Sequence, residues 1–104
     1  MFIEIANGLT EHSASVRSFE ACAREARARI VGEPEQAIAW LLVARAAQAF
    51  VDAYDDQPLT LDIAGKELER FRQVLETLES AYAGGSAEAK VAALNTVALR
   101  LSAV

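Results

Sequence analysis

Cysteine, histidine and turn-forming residues are scarce in this chain of 104 residues, which holds one Cys, one His, two Pro and five Gly. One cysteine cannot build an internal disulfide or a cluster of thiolate metal ligands, so the chain is not a disulfide-stabilised scaffold. The lone His12 excludes, within one chain, the HExxH motif and the paired Glu-x-x-His motifs of ferritin-like di-iron sites. The few Gly and Pro residues and the 53% apolar composition argue against a disordered or loop-rich chain.

Positive charge is in deficit, because 10 Lys and Arg stand against 15 Asp and Glu, for a net charge of −5. Nucleic acids and anionic membranes attract basic surfaces, so we expect neither as a partner. The longest uninterrupted apolar run, residues 37–44, is shorter than the roughly 20 residues of a membrane span. The N-terminal residues lack the basic start of a secretory signal, which favours a cytoplasmic protein.

Apolar residues recur at helical spacing in four stretches rich in Ala, Leu, Glu and Arg. These stretches predict helices at about residues 10–31, 34–55, 60–83 and 86–103. We expect one all-α domain over residues 1–104, an antiparallel (up-down-up-down) four-helix bundle with short loops. Residues 1–9 form an N-terminal arm, in which residues 2–5 are predicted to be extended, as a short strand, an exchanged arm or a plug over the bundle.

Capping residues and apolar stripes support these boundaries. Gly32 and Gly84 suit the left-handed position that follows a helix, and Thr10, Thr60 and Ser86 are the predicted N-caps. The stripe of the first helix is Val16, Phe19, Ala23, Ala26 and Ile30, with Cys22 at its margin as a buried structural thiol. The third helix repeats an apolar residue every seventh position, at Leu61, Leu68, Leu75 and Tyr82. The predicted stripe of the fourth is Ala87, Val91, Leu94, Ala98 and Leu101.

The second predicted helix has more apolar surface than packing inside one bundle requires. Apolar side chains cover most of its circumference and leave a narrow polar arc that contains Arg45, Gln48 and Asp52. Either the helix is central to the fold or its apolar side meets a second subunit. We favour a twofold-symmetric homodimer, since such dimers are the commonest assembly. The predicted interface consists of Ala39, Trp40, Leu42, Ala46, Ala49 and Phe50.

The excess negative charge lies in residues 33–62, where six acidic residues face Arg45 alone. Every aspartate of the chain is there, namely Asp52, Asp55, Asp56 and Asp62. The simplest interpretation is a solvated turn, where Asp is favoured. The alternatives are docking of a basic partner segment and binding of a divalent metal.

The metal alternative uses His12, Asp52, Asp55 and Glu67, which an up-down-up-down bundle brings to one end. His12 and Glu67 fall on the apolar arcs of their helices, as inward-facing ligands or an acid/base pair do, but fraying helix ends also explain this. Glu76 and Glu79 form a Glu-x-x-Glu pair, as in magnesium-dependent helical hydrolases. No second acidic motif completes that pair, and both residues are predicted to face solvent.

The sequence therefore favours a small non-catalytic cytoplasmic interaction module, such as an adaptor, regulator or chaperone-like protein, without a cofactor. We expect a homodimer whose acidic end selects a basic segment of a protein partner. The alternative is a metal- or small-ligand-binding bundle, including a metal-dependent hydrolase, that uses the acidic and histidine-bearing end.

Overall fold

The fold is all-α, as a computed structural model shows, which describes residues 1–7, 9, 15–55 and 57–102. The four helices are α1 (Val16–Gly32), α2 (Ala37–Tyr54), α3 (Leu61–Tyr82) and α4 (Ala87–Ser102). Short 3-10 helices at Ile3–Ala6 and Pro34–Gln36 precede α1 and α2. No strand occurs within the described ranges. The prediction of four helices in an all-α chain is confirmed.

The N-terminal segment is a 3-10 helix, so the prediction of an extended piece is wrong. Its buried residues are Phe2, Ile5, Ala6 and Leu9, each at most 6% exposed. Their spacing of three, four and seven residues from Phe2 is the periodicity of a helix and not the alternation of a strand. The segment packs against α1 and α3 and belongs to the core of its own chain, so it is not a short strand, and of the three predicted arrangements the plug over the bundle describes it best.

Helix α1 begins at Val16, several residues after the predicted start. Ser15 is extended, with φ −142° and ψ 163°, and its Oγ accepts a hydrogen bond from the N–H of Ser18 at 3.1 Å. This side-chain bond satisfies a free donor of the first turn and fixes the helix start. Thr10, the predicted cap, lies outside the described residues.

The caps predicted for the third and fourth helices are confirmed. The Thr60 hydroxyl accepts a hydrogen bond from the N–H of Ile63 at 3.2 Å, and the Ser86 hydroxyl accepts one from the N–H of Ala89 at 3.1 Å. Each of these bonds supplies an acceptor to an otherwise unpaired N–H group at the start of a helix.

Glycine has a different role from the one that the sequence predicted. Neither Gly32 nor Gly84 adopts the left-handed conformation, and Gly32 is the last residue of α1. The requirement for glycine lies at Gly85, whose N–H donates to the carbonyl oxygen of Ala81 at 3.0 Å. A Cβ at Gly85 would collide with that oxygen, so the turn after α3 depends on a close backbone approach.

Helices α1 and α2 form the main packed pair of the molecule. Phe19, near the start of α1, stacks on Phe50, near the end of α2, with 3.9 Å between ring centroids. Arg29, near the end of α1, lies 5.0 Å from the ring centroid of Trp40, near the start of α2. These contacts make the two helices antiparallel. The complete up-down-up-down topology stays a prediction.

Helix α3 follows its predicted stripe more closely than α4 does. Leu75 is fully buried and Leu68 and Tyr82 are half-buried, although Leu61 at the first position of the repeat is 90% exposed. In α4 the buried residues are Ala93 and Val97 instead of Val91, so the helix is rotated relative to the predicted stripe. Exposed apolar side chains therefore remain on α4.

Residues 34–54 are long and apolar enough to cross a membrane, judged by length and composition alone. The longest uninterrupted apolar run within this segment, residues 37–44, is much shorter. Core helices of soluble proteins meet the same two criteria, and the buried side of this segment packs against α1.

Glu79 of α3 anchors the N-terminal segment, so the prediction that it faces solvent is wrong. One of its carboxylate oxygens, Oε1, accepts hydrogen bonds from the N–H of Phe2 at 2.8 Å and of Ile3 at 3.2 Å. The amino group of Met1 lies 3.2 Å from the same oxygen. Burial alone raises the pKa of Glu79, but the hydrogen bonds from Ile3, the amino group and Phe2 outweigh it, so the pKa is lowered.

We expect Glu79 to make the stability of the fold dependent on pH. A lowered pKa gives stabilisation that is complete above the unfolded value of 4.5 and is lost as the pH falls through the folded pKa. Glu79→Gln should therefore lower the free energy of unfolding at pH 7 by about 1 kcal/mol, and much less at pH 3. Urea denaturation at both pH values measures this, with exposed Glu76→Gln as the matched control. An equal loss at both pH values would contradict the assignment.

Candidate functional site

The predicted interface of the second helix is divided by the structure. Ala39, Trp40 and Phe50 are at most 4% exposed, so their assignment to a contact between subunits is wrong. The chain covers them itself, because the ring of Phe2 lies 4.6 Å from that of Trp40 and Phe19 stacks on Phe50. The alternative interpretation, that this side of the helix is central to the fold, describes these three residues.

The other three predicted interface residues line a cleft. Leu42 and Ala46 are half-buried and Ala49 is exposed, and all three border a cavity of about 650 Å³ between α2, α3 and α4. Ala98 and Leu101 of α4 form its opposite apolar wall. Ala98 and Leu101 are only half-buried, as are Leu42 and Ala46, so α4 does not fully cover α2 along this length.

A cluster of polar side chains from three helices borders one side of the cleft. The hydroxyl of Tyr54 donates to Oε1 of Glu67 at 3.4 Å, and Nη1 of Arg70 lies 3.5 Å from the same oxygen. Arg100 of α4 joins them in the lining. Burial, and then the Glu67 carboxylate, raises the pKa of Tyr54, so its hydroxyl stays protonated and acts as a donor at neutral pH. Glu67, predicted to face inward, is half-buried here.

The acidic end is exposed where it is described. Asp52, Asp55 and Asp62 are all exposed, and Asp56 lies outside the described residues. Asp52 accepts a hydrogen bond from Nε2 of Gln48 at 3.0 Å, and Asp62 pairs with Lys66 at 3.4 Å, with both of those side chains over 70% exposed. Such pairs are weak in water, so their carboxylates can exchange partners.

A metal site is not assembled by the described part of the predicted ligand set. Asp52, Asp55 and Glu67 belong to no group of three His, Cys, Asp or Glu side chains arranged to hold an ion, a search confined to the described residues. Glu67 is already engaged by Tyr54 and Arg70. His12 lies outside the described residues, so a site that includes it stays a prediction.

Cys22 has the surroundings of a structural thiol. It is 5% exposed, and its Sγ donates to the carbonyl oxygen of Ile5 at 3.4 Å. Burial, with a smaller effect of the Glu25 carboxylate, raises its pKa to about 11. Since the thiolate is the nucleophilic form, the thiol is unreactive at neutral pH.

The concentration of arginines at the cleft was not predicted from the sequence. Arg45, Arg70 and Arg100 all border it, although they are distant in sequence and come from three helices. The helical phase of Arg45 relative to Leu42 and Ala46 was the available signal, because these residues lie on adjoining faces of α2. The partners from α3 and α4 follow only from the packing.

Comparison with protein-family models, curated proteins and solved structures finds no match to this chain. Its function is therefore inferred from its own geometry.

Proposed function

We propose that the chain is a small non-catalytic interaction module that forms a homodimer and receives a basic segment of a partner protein at its acidic end. The observation that supports this is the outer stripe of α2, defined as Ile38, Leu41, Arg45, Ala49 and Asp52. All five residues are exposed and lie on one helix face. The stripe begins with the apolar residues Ile38 and Leu41. It ends with the acidic Asp52, which is close in sequence to Asp55.

The apolar half of the stripe favours a second copy of the chain. Ile38 is 61% exposed and Leu41 47% exposed, next to a helix side that is fully packed in the core. Burial of large apolar side chains is the main favourable term in association. In a twofold-symmetric dimer the same face of this helix is used by both subunits, so each copy buries the apolar residues of the other. With Leu42 and Ala46, this half of the stripe is what remains of the apolar surface of α2 for a dimer once Ala39, Trp40 and Phe50 are assigned to the core.

The acidic half favours a basic peptide. The net charge of −5 arises in residues 33–62, and Asp52 and Asp55 present exposed carboxylates at the end of α2. Charge complementarity of this kind steers a basic segment to its site and weakens as salt screens the charges.

Two variants separate these contacts. Leu41→Asp is expected to convert the dimer to a monomer in light scattering while it keeps affinity for a synthetic lysine-rich peptide. Asp52→Lys/Asp55→Lys is expected to keep the dimer while it weakens peptide binding about tenfold, since each exposed charge pair contributes up to about 1 kcal/mol. The matched controls, Val31→Asp and Glu20→Lys, change exposed residues of α1 and should alter neither measurement.

A wild-type chain that stays monomeric at high concentration would overturn the homodimer. Peptide binding that ignores both salt and the aspartate variants would overturn the basic partner. Circular dichroism of each variant shows whether the fold is retained, so that unfolding is not counted as a lost interaction.

A further inference from the structure

The cleft between α2, α3 and α4 combines an apolar interior with an excess of positive charge. Leu42 and Leu101 supply apolar surface, and the small residues Ala46 and Ala98 leave the space open. The volume of about 650 Å³ falls within the range of about 300–1,000 Å³ in which proteins bind small molecules. Three helices border this space, which makes it a concave site and not a flat contact surface.

The charge of the lining is opposite to that of the protein as a whole. Arg45, Arg70 and Arg100 border the cleft against the single carboxylate of Glu67 among its described lining residues. Glu67 is shared by Arg70 and the Tyr54 hydroxyl. Arg45 and Arg100 have no acidic partner within the described residues. The cleft therefore offers two guanidinium groups that pair with no acidic side chain in the part of the chain that the structure describes.

We propose that this cleft binds an apolar monoanion, a molecule with an alkyl or aryl body and one carboxylate, of the size of a medium-chain fatty acid. The body lies between Ala46 of α2 and Ala98 of α4, and the carboxylate accepts hydrogen bonds from Arg45 or Arg100. Guanidinium and carboxylate match in geometry and form charge-assisted hydrogen bonds. The cleft shares Arg45 and Ala49 with the outer stripe of α2, but binding of this ligand does not depend on the interaction function proposed above.

Decanoate is a suitable probe, used below its micelle concentration in isothermal titration calorimetry. We expect binding with one decanoate per chain, and affinity that falls with added salt. Arg45→Gln/Arg100→Gln should weaken it about tenfold, because each exposed charge pair contributes up to about fivefold and two pairs up to about 25-fold. The control Arg17→Gln/Arg24→Gln removes the same charge from the exposed face of α1 and should leave the affinity unchanged. Decyltrimethylammonium, with the same chain and the opposite charge, should bind at least tenfold more weakly than decanoate.

A second pair of variants tests the location. Ala53→Trp places a large ring at the cleft border and should abolish decanoate binding, whereas Ala92→Trp, at an exposed alanine of α4 away from the cleft, should not. Decanoate binding that persists in Arg45→Gln/Arg100→Gln, or in Ala53→Trp, would overturn the proposal. The proposal would also be overturned if decyltrimethylammonium bound as tightly as decanoate, or if the cleft bound an acidic amphipathic peptide but not decanoate. A loss of dimer mass in Ala53→Trp without a change in decanoate binding would assign the cleft to a second copy instead.

Discussion

Replacing Phe19 by alanine is expected to lower the free energy of unfolding by about 3–5 kcal/mol, the range found when a buried phenylalanine is truncated. Phe19 is 1% exposed and joins three helices. Its ring stacks on Phe50 at 3.9 Å and meets the edge of Phe71 at 5.3 Å. Truncation removes apolar contact and leaves a cavity, because α1 and α2 cannot close while the other stripe residues hold them apart.

The loss is large because a domain of this size has about 5–15 kcal/mol of stability in total. Urea denaturation followed by circular dichroism measures it, and Trp40, the only tryptophan, gives a second probe by fluorescence. Val31→Ala, at an α1 residue that is 84% exposed, is the control and should change stability by less than about 0.5 kcal/mol. If Phe19→Ala cost no more than this control, the aromatic cluster would not hold the three helices together.

The sequence was sufficient to predict Phe19 as a core residue. Its neighbours at helical spacing, Ala23 and Ala26, are fully buried, and the hydroxyl caps at Thr60 and Ser86 are where the sequence puts them. These features are local, since periodicity and capping depend on residues within a few positions of one another. Local patterns therefore predicted the number and type of the helices.

The sequence failed where a choice depends on distant partners. The six predicted interface residues of α2 are all apolar, so the sequence does not distinguish them. In the structure Trp40 is covered by Phe2 and Phe50 by Phe19, while Leu42 and Ala46 border a cleft. An apolar helix face does not show which part of the same chain covers it.

The charged residues of the candidate sites likewise divide into those that are close together in sequence and those that only the fold brings together. The exposed aspartates at the end of α2 follow directly from composition along the chain. The arginines of the cleft come from α2, α3 and α4, and only the packing of the three helices brings Arg45, Arg70 and Arg100 to one surface. Glu79 was missed for a related reason, because its partners are the N–H groups of Phe2 and Ile3 at the other end of the chain.

The N-terminal segment is the second place where one substitution should have a large effect. We expect Phe2→Ala to lower the free energy of unfolding by about 3 kcal/mol. Phe2 is fully buried, and its ring lies 4.6 Å from that of Trp40 and 5.4 Å from that of Tyr82. Its removal should also shift the emission of Trp40 to longer wavelength, because Phe2 covers the indole.

We expect water that enters the space left by Phe2 to offset part of this cost by hydrogen bonding to the indole. The indole Nε1 of Trp40 is buried without a hydrogen-bond partner among the described residues, which is unfavourable in a dry core. The expected loss therefore lies at the lower end of the range for buried phenylalanine. Ile3→Ala is the matched control, since Ile3 is the adjacent residue, the first of the 3-10 helix, and at 39% exposed should cost much less. Unchanged stability and unchanged Trp40 emission in Phe2→Ala would mean that this segment does not close the core in solution.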